Sequence, residues 1–222
     1  MSSAALKIKV VPVTAFAQNC SVVLCEQTRQ AVVVDPGGDV ARIMQVIHEI
    51  GAQVTQILLT HGHVDHVAGA PALVAQLQSE FGTPVPIIGP HEADQYWLDD
   101  LPARTQAYGM EPAPVFVPTR YLQDGDEIQF GVQTLKVYHC PGHTPGHVVF
   151  YHEGIHLAWV GDVLFKGSVG RTDLPGGNHD ELIESIVHKL LPLGDEVQFI
   201  PGHGPMSILG EERLHNPFLQ SK

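Results

Sequence analysis

Residues 60–66, Thr-His-Gly-His-Val-Asp-His, place four potential metal ligands, His61, His63, Asp65 and His66, in one short stretch. The run before them, Val54-Thr-Gln-Ile-Leu-Leu-Thr60, is short, apolar and partly β-branched, and reads as a buried strand. The run after them, Val67-Ala-Gly-Ala-Pro-Ala-Leu-Val-Ala-Gln-Leu77, reads as a helix behind an irregular first turn. A fold for this chain must therefore gather a strand's carboxyl end and the next helix around polar side chains. In open α/β sheets that crevice is where ligands bind. On an extended stretch His61, His63 and Asp65 would point the same way, with His66 aimed differently as the chain turns. Burying these groups unpaired would be costly, so they read as a metal or catalytic cluster rather than as packing.

Three later segments repeat the arrangement. Strand 134–138 runs into His139-Cys-Pro-Gly-His143-Thr-Pro-Gly-His147, strand 157–160 into Gly161-Asp162, and strand 197–200 into Pro201-Gly-His203-Gly. Each sets a potential ligand just past a strand end, beside glycines that permit tight turns. The candidates are then His61, His63, Asp65, His66, His143, Asp162 and His203. That is too many for one closed tetrahedral zinc. It suits two divalent ions with Asp162 bridging, one held by His61, His63 and His143 and the other by Asp65, His66 and His203. Paired metals about 3.5–4 Å apart are typical of hydrolytic sites.

The rest of the pattern supplies a scaffold. Residues 6–13, 20–26 and 31–35 read as strands. Asp39 is the expected N-cap of a helix over Val40–Ile50, which Gly51 ends. After the helix to about Phe81, a short strand is expected at 84–88. An irregular stretch with a helical patch near 91–101 follows at 89–118. Strands are expected at 128–130, 133–138, 147–151, 155–160 and 197–200, with helices over about 180–191 and near 211–215.

At 222 residues the chain can bury roughly 70% of its unfolded surface and needs no disulfide staple. A net charge of −12 argues against nucleic acid or an anionic membrane as partner. No run approaches the length of a membrane span, and the first residues show no signal-peptide core. Three cysteines form no disulfide framework; Cys20 and Cys25, an odd offset apart on one strand, should face opposite ways. A cytoplasmic location is the expectation.

In order and spacing, His61-x-His63-x-Asp65-His66, His143, Asp162 and His203 resemble the metallo-β-lactamase superfamily over about residues 6–205. The resemblance implies an α+β (α/β) fold, a four-layer αββα sandwich of two mixed sheets with helices outside. His143-Thr-Pro-Gly-His147 and the stretch from Gly161-Asp162 to Arg171-Thr-Asp173 are similar to the glyoxalase II-like group, the hydroxyacylglutathione hydrolases, in their short bacterial form. An aspartate at 162 separates the chain from lactamases, which carry a cysteine there. The implied activity is hydrolysis of a small glutathione-linked thioester such as S-lactoylglutathione by a metal-held hydroxide, giving a hydroxy acid and a free thiol. The implied cofactors are two divalent ions, zinc first, with iron or manganese as alternatives. Asp65 would orient the hydroxide and accept its proton.

By the same resemblance, Arg171 grips a substrate carboxylate; the other reading is a salt bridge with Asp173. Full-length glyoxalase II carries a helical C-terminal extension that builds much of its glutathione pocket. Here residues 1–222 read as one domain without it, leaving 89–118 as a candidate for part of that wall. A rival within the superfamily is a persulfide dioxygenase holding one iron on His61, His143 and Asp162. A non-catalytic metal-binding protein is a third reading. His147 reads as a group supporting a ligand, Asp35 as a ligand-orienting residue or a turn cap, and Cys140 as a core or redox-reactive thiol. His48, His91, His152, His156, His179, His188 and His215 read as solvated or rim residues, and His139, close to a ligand in sequence, fills no missing position.

Overall fold

The computed structural model describes residues 5–220. The extreme N-terminus, part of the stretch read above as leader-free, lies outside the described residues. The first sheet takes β1 (Leu6–Val13), β2 (Gln18–Cys25), β3 (Gln30–Val34), β4 (Gln53–Leu58) and β5 (Ile87–Ile88) in that spatial order. Its first two pairings are antiparallel and its last two parallel. Helix α1 (Val40–Ile50) makes the crossover from β3 to β4, and α2 (Val64–Val67) and α3 (Ala70–Phe81) the crossover to β5. Two further helices, α4 (Gln95–Asp99) and α5 (Leu101–Ala107), follow.

The second sheet uses β6 (Glu127–Phe130), β7 (Gln133–His139), β8 (Val148–His152) and β9 (Leu157–Gly161). A hairpin of β10 (Leu164–Phe165) and β11 (Ser168–Val169) and the helix α6 (His179–Ser185) intervene. Then β12 (Gln198–Pro201) joins parallel to β9, β13 (Ser207–Ile208) closes the edge, and α7 (Leu209–His215) follows.

Three apolar clusters define the layers. Cys20, Val22 and Leu24 of β2 meet Ile43 and Ile47 of α1 and Leu73 and Leu77 of α3. Val23 and Cys25, on the other face of β2, meet Phe130, Val137, Phe150 and Trp159 of the second sheet. Val149, Ala158 and Val160 turn outward to Leu182 of α6 and Leu209 of α7. The order is α, β, β, α, as expected. Both faces of the inner strands are covered, so runs such as Ala31-Val-Val-Val34 are apolar throughout rather than alternating. Each such aliphatic side chain contributes about 1.5–3 kcal/mol on burial. The opposite orientations of Cys20 and Cys25 follow from the period of two, and all three cysteines are free and buried.

Several local expectations need correction. Asp39 occupies the N-cap position of α1 with left-handed backbone, φ 48°, and makes no capping bond. Its carboxylate instead accepts the N–H of Thr14 at 2.7 Å. The strand expected from 84 is only Ile87–Ile88. The helical patch near 91–101 runs on to Ala107 through α5. The late helix stays α-helical only to Ser185; π-helical residues Ile186–Leu190 and a 3-10 turn, Leu191–Leu193, complete it. Pro192, with no N–H, cannot extend the ladder.

Candidate metal centre

The two sheets meet along the edge where β3, β4, β9 and β12 end. Val148 donates its N–H to Thr60 O at 2.7 Å, and Asn19 donates its own to Gly202 O at 2.8 Å, tying one sheet to the other there. All seven sequence-chosen side chains come together at this edge. The extended stretch ends at His63, however, and Asp65 and His66 lie within the single turn α2. Asp65 is thereby aimed away from His61 and His63.

Two groups result. His61, His63 and His143 form one and Asp65, His66 and His203 the other, each with donor atoms mutually within 4.8 Å. Asp162 lies between them. Its Oδ1 is 3.4 Å from His66 Nε2, and its Oδ2 is 3.6 Å from both His143 Nε2 and His203 Nε2. His203 Nε2 also faces Asp65 at 3.1 Å. Gly202 makes this approach possible, because a Cβ there would run into Asp162 Oδ1.

The donor set suits cations. His61 Nε2, His66 Nε2 and Asp162 Oδ1 are buried yet aligned for no hydrogen bond. Three such groups converging on one space would be expensive without a partner. His143 Nε2 and His63 Nδ1 face each other at 2.9 Å, two ring nitrogens that one cation can satisfy together. Burial, and then the neighbouring His143, hold His63 down at about 3. Burial pushes His61 and His143 down as well, so these three rings are neutral, as metal ligation requires. On the other side burial opposes charge, but Asp162 and Asp65 hold His66 well above its ordinary value. Asp162 is buried, which would raise its pKa; the charge of His66, and then of His143 and His203, holds it far below the usual carboxylate range instead.

The supporting residues come from remote parts of the chain. Asp35, at the end of β3, accepts His66 Nδ1–H at 2.9 Å and Thr60 N–H and O–H at 2.7 and 2.6 Å. It therefore orients a candidate ligand and does not merely cap a turn. Its close approach to His61 and His66 makes a third cluster of donors, but its oxygens are already engaged. Arg171 O accepts from His143 Nδ1 at 2.7 Å. His147 is buried against His61, ring centroids 4.6 Å apart and nearly parallel, and its Nε2 accepts the N–H of Asp162 at 3.0 Å.

Asp94 was not legible in the sequence. Wholly buried, it accepts the N–H of Gly62 (2.8 Å), Thr144 O–H (2.8 Å) and the N–H of Gly146 (2.6 Å). It clamps the turn carrying His61 and His63 to the turn carrying His143. Its partners lie 32 to 52 residues away, so no local spacing marks it. Trp97, also missed, packs edge-on against His63 with centroids 4.4 Å apart.

Other readings divide. His48, His156, His179, His188 and His215 are exposed, and His91 and His139 stack on one another at the surface, 4.3 Å apart. His152 is instead buried, paired with Gln133 Oε1 at 2.9 Å, because β8 carries its last side chain under the sheet edge. Cys140 is enclosed, and burial pushes its thiol up to about 12, so it is a core thiol rather than a redox-reactive one. A cavity of about 500 Å³ opens over the centre, floored by His63, Asp65, His143, Asp162 and His203 and walled by Phe16, Trp97, Arg104, Tyr108, Phe165 and Arg171. Residues 89–118 thus contribute Trp97, Arg104 and Tyr108 to its wall.

Comparison with known proteins matches residues 13–203 to the family described as the metallo-beta-lactamase superfamily. The chain belongs to the metallo-beta-lactamase superfamily. Among members of that superfamily, it is 42% identical to a Haemophilus influenzae protein named hydroxyacylglutathione hydrolase GloC, over 98% of this chain and 100% of that one. Two solved structures are each 34% identical to it. One, described as the BLEG-1 B3 metallo-beta-lactamase, superposes with a TM-score of 0.84 over 97% of this chain and 100% of its own. The other, TTHA1623 in a di-iron-bound form, has a TM-score of 0.82 over 95% and 100%. Overall likeness within the superfamily therefore spans proteins named for different substrates. No described helix is long and apolar enough to cross a membrane.

Proposed function

We propose that this chain is a binuclear metallohydrolase that cleaves a small thioester such as S-lactoylglutathione. The observation that carries the reading is the pair of three-ligand groups joined through Asp162 at the floor of one cavity. Similarity to a protein named as a hydroxyacylglutathione hydrolase supports the choice of thioester. His61, His63 and His143 would hold one ion, Asp65, His66 and His203 the other, with Asp162 shared. Bound there, two divalent ions supply an acidified water and a Lewis acid for the carbonyl oxygen. Zinc is the first candidate. Iron is supported by the di-iron form of a similar protein.

The chain's own groups do the rest. Asp35 and Arg171 O keep protons on the Nδ1 atoms of His66 and His143, leaving both Nε2 lone pairs free for metal. Asp65, partly open to the cavity, orients the attacking water and takes its proton on the carboxylate. The aromatic wall of Trp97, Tyr108 and Phe16 excludes bulk water from one side of the scissile bond. The departing thiolate is a weak base and needs no dedicated acid. Three free, buried cysteines accord with a reducing cytoplasm.

The rival with one iron on His61, His143 and Asp162 leaves the equally well gathered Asp65, His66 and His203 without a task. Purified protein, assayed against S-lactoylglutathione, glutathione persulfide and a β-lactam with metal analysis of the same sample, tests the proposal. Thioester turnover with two metals per chain is expected. Persulfide oxidation or β-lactam cleavage as the main activity would refute it.

A further inference from the structure

The cavity wall carries two guanidinium groups, in a chain with only 12 lysines and arginines. They are in different states. Arg171 is 61% exposed and donates Nε and Nη2 to Asp173 at 2.7 and 2.8 Å, so its charge and its fork are already taken. Arg104, on α5, is 24% exposed and sits over Trp97, its guanidinium carbon 3.8 Å from the ring centroid. Asp100 Oδ2 is 3.2 Å from its Nε, yet that Nε makes no aligned hydrogen bond, and no described residue accepts from its outer nitrogens.

Stacking on an indole fixes the plane of a guanidinium without consuming its N–H donors. The outer fork of Arg104 is therefore oriented and free. Trp97 in turn lies edge-on to His63, so one ring separates the guanidinium from the centre where the carbonyl would be held, and both Arg104 and His63 line the cavity. With the acyl group at the metals, the thiol half of a thioester must leave along the cavity wall. A planar fork is matched to a carboxylate, which it binds through two parallel hydrogen bonds.

We infer that Arg104, braced by Trp97, reads a carboxylate on the thiol half of the substrate, so that the enzyme selects thioesters of anionic thiols over neutral ones. The inference rests on the thioester-hydrolase reading above and adds the residue and the charge that set its substrate class. Arg171, by contrast, is a structural partner of Asp173 in this arrangement.

The test compares two lactoyl thioesters that share an acyl group: that of N-acetylcysteine, with a carboxylate, and that of N-acetylcysteamine, without one. The metal-loaded wild type should favour the first by about tenfold or more in kcat/KM, chiefly through KM, the size expected of one charged hydrogen-bonded pair. In Arg104→Met the ratio should fall to near one, and Arg104→Lys should keep part of it. The ratio is taken within one preparation, so a variant that folds or loads metal poorly lowers both rates together. Equal rates in the wild type, or a preference that survives Arg104→Met, would overturn the inference and leave Arg104 as a brace for Trp97. Binding is read separately by tryptophan fluorescence with S-methylglutathione, whose Kd should rise about tenfold in Arg104→Met; an unchanged Kd would equally overturn it. If neither these thioesters nor S-lactoylglutathione is cleaved, the hydrolase reading fails, and this titration decides whether Arg104 binds a carboxylate.

Discussion

Asp35 Oδ2 and His66 Nδ1 are 2.9 Å apart, and both side chains are buried. The bond fixes the proton of His66 on Nδ1 and turns Nε2 toward Asp162 and Asp65. In Asp35→Asn an amide would face that N–H, donor against donor, and the ring would shift its proton to the nitrogen that should bind metal. The expected result is an affinity about 10–100-fold lower for one divalent ion of the two. Competition with a chromophoric chelator measures it, and unchanged affinity would show that Asp35 serves only the turn at Thr60.

Asp94→Asn should both loosen the fold and lower turnover. An asparagine can accept at one oxygen only, which strands the N–H of Gly62 or of Gly146 in a buried place. Stranding one costs about 1–3 kcal/mol. For a chain of this size the melting temperature should fall by about 2–4 °C for each kcal/mol lost. Thermal melts and steady-state rates on the same sample check both effects; a stable, fully active variant would mean that the clamp between the two histidine turns is dispensable.

What the sequence revealed and what it hid divide by distance along the chain. Candidate ligands were legible because each follows a recognisable strand and sits beside glycine, as at His61 and at His203. Asp94 was not, since its partners lie 32 to 52 positions away, and Asp35 was legible only as one of two readings, ligand-orienting or turn-capping. The layer order came with the resemblance to the superfamily, and apolar runs such as Ala31-Val-Val-Val34, covered on both faces, accord with it. Local competition misled elsewhere: Asp39 has good capping chemistry, but the N–H of Thr14 takes its carboxylate. His152 looked like a surface residue until Gln133 was found beside it under the sheet edge.

Arg171→Ala should leave metal content unchanged and alter KM by less than about twofold, because the pair it forms with Asp173 is solvent-exposed. The contact that matters to His143 is made by the backbone carbonyl of Arg171, which the substitution retains. A large rise in KM in steady-state kinetics would show that Arg171 leaves Asp173 to hold substrate.

Metal-stripped protein should be most stable near pH 6.5. Burial, helped by neighbouring histidines, holds His61 and His147 well below their ordinary 6.5 and His63 at about 3. As the pH falls below 6.5 the unfolded chain binds protons that these folded rings refuse, so stability drops toward acid. His66 and His203 have the opposite sign. Burial opposes them, but Asp162 and Asp65 raise both, so their contribution is complete below 6.5 and is lost as the pH rises through their raised values. Thermal melts across this range should trace a maximum, and adding a divalent ion should abolish the alkaline fall, because the metal replaces those protons. A profile that rises steadily through pH 6.5 without metal would contradict this.

The most direct measurement is a metal titration of stripped protein under anaerobic conditions, following cleavage of S-lactoylglutathione. Activity should climb to a plateau at two divalent ions per chain, and replacing Asp162 with alanine should abolish that plateau. Full activity at a single equivalent, or no thioester cleavage at any loading, would contradict a centre of two cations joined by one carboxylate.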